Sequence, residues 1–524
     1  MRINILITGK AGQGIKGLSD MLSQALVKEG LYVFNYRMYR SLIAGGNNFD
    51  ILCVSEKPVF SFDNEYDIAV LLDKESLEIH RKEMKKGCVK LHNLDIEGIR
   101  IDNSGLTKAK NMVFGGAVLK ILGLDKKSLE EVVKRKVSGD LLEEDLKAIK
   151  KGYESCQINE NLKFKNLNKK NLNKNIFFLD GSEAVGIGAI ESGLDIYYAY
   201  PMTPATPLLT FLVENQKEND YLTFQPENEI TVANAALGAS FGGARVMIGT
   251  SGGGFDLMAE AMSMQGMTEL PLVAYLAMRS GPSSGAATFT AQEDLRMALH
   301  CGHGDFPKIV ISPGDIEESY KVTKQAFYLA EKYGILNIIL SDKHLAESGF
   351  TQEIKDDDLF LEKSGKYPQK DKIKVNSYAH DEQGNYTENP EIIKRIAEIR
   401  KQKFQEAKKE IEKSFKMYKV YGNKNSKKVI VGFGSTKGAI LDAINSGELK
   451  DYKYLHLIYL SPFPEKLKKE LQGKEIFVIE NNLTGQLADL IQEKTQIKIP
   501  EKNRILKYNT LPFVPKEIIE RLRK

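Results

Sequence analysis

FLDGSEAVGIGAIESG (Phe178–Gly193), YAYPMTPATP (Tyr198–Pro207), QPENEITVANAALGASFGGARVMIGTSGGGFDLM (Gln225–Met258) and MRSGPSSGAAT (Met278–Thr288) follow one another within residues 178–306. Apolar runs of β type alternate there with Gly- and Ala-rich segments of helical period. That alternation predicts α/β architecture, a parallel sheet with helices on both faces. The polar residues fall at strand ends, where open α/β sheets put their binding crevices.

Three groups stand out in this stretch. Tyr200-Pro201-Met202-Thr203-Pro204 follows a strand expected at Ile196–Ala199, and its two prolines fix a turn that holds the Thr203 hydroxyl. Glu229 opens the small, apolar helical run 230–241. A carboxylate there is either an N-terminal helix charge or a group kept in a low dielectric for proton transfer. Arg279 follows the apolar strand expected at 272–277 and precedes Gly281-Pro282-Ser283-Ser284-Gly285, a loop able to approach a ligand closely. Taken singly, each group reads equally well as a turn, a helix cap or a surface arginine.

Together, their order and spacing resemble the pyrimidine-binding half of the 2-oxoacid:ferredoxin oxidoreductases, which are thiamine-diphosphate enzymes. The resemblance is to the α subunit with the γ domain fused in front, and it covers nearly the whole chain. YPMTP is similar to that family's Tyr-Pro-Ile-Thr-Pro motif, PENEITVANAALGASFGGAR to its Glu-Asp-Glu-Ile-Ala helix, and RSGPSSGAAT to its Arg-Gly-Gly-Pro-Ser-Thr-Gly loop. The resemblance implies that Glu229 hydrogen-bonds N1′ of the thiamine aminopyrimidine and acts in catalysis, with Pro201 beside the cofactor. It implies that Thr203 and Arg279, with Tyr200 next to them, hold the 2-oxoacid carboxylate. Glu227 is the rival carboxylate; Glu229 is preferred because it immediately precedes the apolar helix and matches the family position. Met202 for Ile, Ser280 for Gly and Ala286-Ala287 for Leu-Pro depart from the family pattern beside the carboxylate site, which leaves the substrate open.

The rest of the chain bounds the reading. A length of 524 residues predicts several domains. The 42% apolar content is that of a globular protein, and a net charge of +4 implies no nucleic-acid partner. No apolar run approaches the ~20 residues of a membrane span, and the N-terminal MRINILITGKAGQG lacks signal-peptide architecture, so a cytoplasmic location is expected. The four cysteines, Cys53, Cys88, Cys156 and Cys301, show no CxxC spacing, which argues against an iron–sulfur or zinc site in this chain. His300 and His303 in HCGHGD want a further ligand to bind metal, and no metal site is assigned.

Residues 1–160 read as a Rossmann-like domain: a strand at 3–7, a glycine turn, and a helix at 15–30. Gly12 and Gly14 make a plausible phosphate cradle, but GxxGxG is not the dinucleotide spacing GxGxxG. The Gly-Gln-Gly turn and YRMYRSLIAGGNNFDILCVS (Tyr36–Ser55) resemble the family's γ domain, which borders the coenzyme A entrance. That makes Gly12, Gly14 and residues 41–47 candidates for that contact; a packed domain without a ligand is the other reading. Residues 161–175, rich in Lys and Asn, read as a linker. The thiamine-type pyrimidine domain is expected over 176–345, and a charged connection with a long helix at 390–418 over 346–425. Within that connection His380 lies in a segment resembling a family His-Asp turn. Residues 426–524 resemble the small transketolase C-terminal-like α/β domain, to which no chemistry is assigned.

Thiamine diphosphate needs a Gly-Asp-Gly motif to hold Mg²⁺ on its diphosphate, and none occurs here. The resemblance therefore implies a β subunit carrying Mg²⁺, the diphosphate site and a [4Fe–4S] cluster, in a heterodimer or a dimer of heterodimers. The implied reaction is CoA-dependent oxidative decarboxylation of a 2-oxoacid with ferredoxin as acceptor. Fused γα chains are most often of the 2-oxoglutarate type, which makes 2-oxoglutarate the lead substrate. A transketolase-type transferase, a non-catalytic scaffold and an NAD-dependent dehydrogenase are the competing classes.

Overall fold

The run LVAYLAM forms the strand Leu272–Met278, buried at every position, in the computed structural model of the protein. The structure describes residues 1–40, 45–94, 96–104, 106, 111–165, 167, 176–355 and 376–523. Two units are distinguished. One comprises Met1–Leu179, Ser348–Ile354 and Val514–Leu522; the other is built from Asp180–Glu347 and Lys355–Phe513.

The second unit contains a seven-stranded sheet. Its spatial order is Tyr459–Ser461, Lys308–Ile311, Leu336–Asp342, Leu272–Met278, Val246–Thr250, Ile196–Ala199, Leu222–Phe224. Every pairing is parallel except that of Tyr459–Ser461, which runs antiparallel to Lys308–Ile311. Side chains alternate between two cores, as the period of two requires. Leu272, Ala274, Leu276 and Met278 enter one, while Val273, Tyr275 and Ala277 enter the other. A parallel sheet buried on both faces explains why these strands read as unbroken apolar runs.

A second sheet in the same unit has the order Tyr418–Gly422, Tyr452–Leu457, Lys428–Phe433, Glu475–Glu480, Arg504–Leu506. Its Val429, Val431, Phe433, Leu455 and Val478 share a core with the inner residues of the first sheet. The long helix runs from Pro390 to Ser414 and buries only Ala407 and Ile411. Tyr418, expected at the end of that helix, instead starts an edge strand.

Charged side chains are also sealed into this unit. Lys437, Asp315, Glu318 and His456 are all buried. Lys437 pairs with Asp315 and, at 2.5 Å, with Glu318; His456 Nε2 and Lys419 Nζ reach Glu318 at 2.9 and 3.0 Å. Burial alone would raise the Glu318 carboxyl, but Lys437 and His456 outweigh it and hold it well below the usual range.

The first unit is an eight-stranded sheet ordered Ile99–Arg100, Met84–His92, Tyr66–Leu71, Arg2–Lys10, Asn47–Ser55, Tyr32–Met38, Gly349–Glu353, Ile176–Asp180. Arg2–Lys10 and the three strands on its Tyr66–Leu71 side are parallel, the Rossmann-like half. Towards Asn47–Ser55 and Tyr32–Met38 the pairing is antiparallel, so the sheet is mixed. Gly349–Glu353, within the stretch expected as a charged connection, pairs with Tyr32–Met38. Phe350 anchors it, buried edge-on against Phe34 at 4.9 Å. Phe164, inside the expected linker, is likewise buried, and its backbone N–H donates to Leu122 O at 3.1 Å. Residues 166 and 168–175 of that linker, and Ser41 to Ala44 among the coenzyme A candidates, lie outside the described residues.

The glycine turn closes as the sequence requires. Gly12 and Gly14 take φ of 87° and 75°, a region disfavoured for residues with a Cβ. Gln13 accepts from Lys10 N at 2.7 Å and donates to Leu72 O at 3.3 Å. Gly14 caps the helix Ile15–Lys28 without a side-chain hydrogen bond.

Replacing Lys437 by Met takes from buried Asp315 and Glu318 the cation they share, leaving Glu318 to Lys419 and His456, and is expected to cost about 3–5 kcal/mol, read as a lowered urea midpoint. The stability contributed by Glu318 is full above the unfolded carboxylate pKa of about 4.3 and is lost as the pH falls through its depressed folded value. An acid-unfolding curve that Glu318→Gln leaves unchanged would contradict that assignment.

Candidate active site

The winding of the seven-stranded sheet reverses beside Ile196–Ala199. From Ile196–Ala199 the chain runs out to the edge strand Leu222–Phe224, then crosses back to Val246–Thr250 and on to Leu272–Met278. The loops after Ile196–Ala199 and Val246–Thr250 therefore diverge and leave a crevice at the carboxyl ends of the strands. Tyr200 to Thr203 follow the first of these strands, and Ser251 to Gly254 the second.

Glu229 is the first residue of the helix Glu229–Phe241. Asn228 precedes it as N-cap, its side chain accepting from Thr231 N at 2.9 Å. The helix turns Val232, Ala233 and Ala236 inward, all fully buried, and Glu229 itself is only 4% exposed. Its Oε1 is buried and has no hydrogen-bond partner among the described residues. A buried, unsatisfied carboxyl oxygen is unfavourable by about 1–3 kcal/mol or more, so a donor is expected to meet it when the site is occupied.

What faces Glu229 is backbone. A Cβ on Gly254 would lie 2.8 Å from both Cγ and Oε1 of Glu229 and 2.2 Å from Thr250 Oγ1. Only glycine admits this approach. The neighbouring Gly253 has open space, its nearest atom being Ser283 O at 3.9 Å. Glu227 differs from Glu229 in every respect. It is exposed, accepts from Thr231 Oγ1 at 2.5 Å, and that hydrogen bond holds its carboxyl below the usual range. It braces the first helical turn.

Arg279 and Thr203, 76 positions apart in sequence, meet: Arg279 Nη1 donates to Thr203 O at 2.8 Å. The contact uses the Thr203 carbonyl and not the hydroxyl, which is the group expected to hold the substrate carboxylate. Burial lowers the guanidinium pKa, with Asp294 acting in the opposite sense. Met202 stands across the crevice from Thr250, Thr250 Oγ1 lying 3.9 Å from its sulfur. Tyr200 and Pro201 are exposed on the same turn. The peptide bonds Thr203–Pro204 and Gly281–Pro282 are cis. Beyond Arg279 the loop closes on itself: Ala286 N donates to Ser280 O at 3.1 Å, and a Cβ on Gly285 would come within 2.0 Å of that same oxygen.

The second sheet grips the segment that continues from this loop. Gln292 is fully buried; its Nε2 donates to Phe433 O at 3.0 Å and to Asp342 Oδ2 at 3.2 Å. Its backbone N–H donates to Asn481 O, its Oε1 accepts from Asn481 N, and its carbonyl accepts from Asn482 Nδ2. The fold thus gives the C-terminal region a positioning task that the sequence reading did not assign to it. Gly254 and Asp294 were also missed as site residues. Gly254 had a signal in the GGG triplet, whereas a lone Asp in AQEDL had none.

Gly12 and Gly14 belong to the first unit and stand in its glycine turn. His380 is buried in a small bridge with Tyr386, its Nδ1 2.9 Å from Tyr378 O. Among the described residues, no three His, Cys, Asp or Glu side chains group as a metal site. No helix among them is long and apolar enough to cross a membrane.

Comparison with known proteins agrees with this arrangement. Residues 187–420 match the family model for the thiamine-diphosphate-binding domain of pyruvate flavodoxin/ferredoxin oxidoreductase, and residues 4–155 match that for pyruvate ferredoxin/flavodoxin oxidoreductase. The 2-oxoacid:ferredoxin oxidoreductase subunit alpha of a Sulfolobus species is 29% identical over all of this chain and 97% of its own length. The 2-oxoglutarate synthase subunit KorA of Methanocaldococcus jannaschii is 32% identical, over 59% of this chain and 89% of that protein. The 2-oxoglutarate:ferredoxin oxidoreductase of Magnetococcus marinus, solved with 2-oxoglutarate, coenzyme A and succinyl-CoA bound, superposes with a TM-score of 0.87 at 25% identity. That match spans 100% of this chain and 99% of the other. With its buried Glu229, its Arg279–Thr203 contact and relatives along its full length, this chain belongs to the family of 2-oxoacid:ferredoxin oxidoreductase α subunits.

Proposed function

We propose that this chain supplies the pyrimidine half of a thiamine-diphosphate site for the CoA-dependent oxidative decarboxylation of 2-oxoglutarate. The products are succinyl-CoA and CO₂, and ferredoxin takes the electrons. The observation that carries the reading is the buried Oε1 of Glu229, unpartnered among the described residues and held against the backbone of Gly254. A protonated ring nitrogen fits that oxygen, and an aminopyrimidine offers one.

The donor set fits the cofactor's pyrimidine end, with Glu229 and the Pro201 turn as its contacts. Thiamine diphosphate, when bound, supplies the carbanion chemistry of decarboxylation. Glu229 holds and exchanges a proton at its Oε1, and the apolar face of Val232, Ala233 and Ala236 keeps water from competing for it. Arg279 binds the 2-oxoacid carboxylate, its guanidinium fixed by Thr203 O so that the remaining N–H groups are aimed before substrate arrives. Thr203 and Tyr200 complete that contact.

Mg²⁺, the diphosphate site and the [4Fe–4S] cluster belong to a β subunit, because this chain has neither the Gly-Asp-Gly motif nor paired cysteines. Leu222 and Phe224 on the edge strand, Ile230 beside Glu229 and Leu257 on the helix Gly252–Leu257, whose Gly254 meets Glu229, are exposed, and they give that partner an apolar surface. Coenzyme A is a co-substrate, with the turn at Gly12 and Gly14 as its candidate contact in this chain. The assembly is a heterodimer or a dimer of heterodimers.

Four variants test the reading in the complex isolated anaerobically through a tag on this chain. With CoA and a viologen acceptor, 2-oxoglutarate is expected to drive reduction better than pyruvate or a branched 2-oxoacid. Glu229→Gln is expected to lower that rate about 10²–10⁴-fold; a rate within a few-fold of wild type rules out the proton-transfer role. Arg279→Ala is expected to raise KM for the 2-oxoacid roughly 30- to 100-fold, the loss of one charge-assisted contact. Gly254→Ala is expected to reduce retained thiamine diphosphate, assayed by release and fluorescence, while Gly253→Ala retains it. Equal retention in the two would remove the Glu229 cradle from the argument.

A further inference from the structure

Asp294 stands at the N-cap of the helix Leu295–His300, yet its side chain makes no capping hydrogen bond. The carboxyl lies instead against Gly252, the first residue of the helix Gly252–Leu257. A Cβ on Gly252 would come 2.6 Å from Asp294 Oδ2 and 3.0 Å from its Oδ1. Oδ2 is buried and without a hydrogen-bond partner among the described residues. The glycines that open this helix are thus flanked by two such carboxyl oxygens, Glu229 at Gly254 and Asp294 at Gly252.

The position is rigid. Gln292, two residues earlier, is locked into the second sheet, Gln486 Nε2 donates to Glu293 O at 2.7 Å, and Arg296 N donates to Gln486 Oε1 at 3.0 Å. Among the described residues, Glu293 and Asp256 act on Asp294 as like charges and Arg279 as a cation. Glu293 is itself engaged, accepting from Gly281 N at 2.8 Å. Arg279 is therefore the cation that an ionised Asp294 would draw upon.

We propose that Asp294 is a positioning residue for substrate binding: as the neutral acid it leaves the Arg279 charge to the 2-oxoacid carboxylate, and as the carboxylate it competes for that charge. This rests on the reading of Arg279 as the carboxylate ligand. Burial, reinforced by Glu293 and Asp256 and opposed by Arg279, pushes the Asp294 carboxyl up to about 7. The competing charge therefore appears as the pH rises through neutrality.

The test is the pH dependence of KM for 2-oxoglutarate in the complete complex, for wild type, Asp294→Asn and Arg279→Lys. In wild type KM is expected to rise about tenfold between pH 6 and pH 8, the limit when only the neutral acid binds substrate. In Asp294→Asn it is expected to stay flat at the low-pH value, with kcat within about twofold of wild type. A structural role would change kcat or stability at all pH values and leave the KM profile in place, which overturns the proposal. If Arg279→Lys leaves KM unaltered, the reading of Arg279 fails and this inference with it. If Arg279→Lys weakens binding while Asp294→Asn keeps the wild-type profile, this inference alone fails. Thermal unfolding gives an independent reading. A carboxyl whose pKa is raised by folding loses its stabilising contribution as the pH rises from the unfolded value of about 3.9 to the raised one, so Asp294→Asn is expected to gain on wild type up to about pH 7 and to hold that gain above it. A constant difference from pH 5 to pH 9 contradicts a buried acid that ionises there.

Discussion

The seven-stranded parallel sheet of the second unit must be covered on both faces, because its strands carry apolar side chains to both sides. Much of the rest follows from that requirement. One face is covered in part by helix residues such as Val185, Phe327 and Ile411. The other takes the helix Glu229–Phe241 together with the inner residues of the five-stranded sheet. The covering elements force every connection to leave from a strand end. At the point where the winding reverses, the departing loops bring Thr203, Glu229, Gly254 and Arg279 to one crevice.

Within that crevice the governing constraint is how closely backbone approaches carboxylate. Gly252 and Gly254 have no Cβ, so the turn after Val246–Thr250 lies directly against Asp294 and Glu229. Each carboxyl consequently has a buried oxygen with no hydrogen bond from the described residues. Such oxygens lower stability, and a folded protein keeps them where a ligand or a moving proton will use them. Glu227, two residues from Glu229, shows the contrast. It is solvated, hydrogen-bonded to Thr231, and part of the helix start alone.

The five-stranded sheet acts on the site at one remove. Phe433 at the end of one strand, Asn481 and Asn482 just after another and Gln486 in the helix that follows hold the segment from Gln292 to Arg296 by side-chain and backbone hydrogen bonds. The Lys437–Asp315–Glu318–His456 cluster fastens the same sheet to the helix Ile316–Tyr333. A buried ionic cluster of this kind demands one geometry, because any other arrangement leaves a charge unpaired in a low dielectric. Precision in the crevice therefore depends on residues more than a hundred positions further along the chain.

The strands, the helix starting at Glu229 and the turn at Tyr200 were legible in the sequence, because apolar period, proline placement and glycine content are local properties. The family motifs likewise carried Glu229, Thr203 and Arg279. Gly349–Glu353 and Phe164 were not legible as packed segments, since one aromatic residue in a polar stretch carries no period. The motif favoured Glu229 over Glu227 by position, but that one is buried and the other exposed is a difference two residues of spacing cannot express. Asp294 was hidden for the same reason: its carboxyl is unusual only through Gly252, 42 positions before it, and Arg279. By itself the sequence determined which elements form and which chemical groups are available. The tertiary structure alone decided which carboxylates lose water, which oxygen keeps no partner among the described residues and which cation each faces, because those depend on distances between residues that the chain order keeps apart.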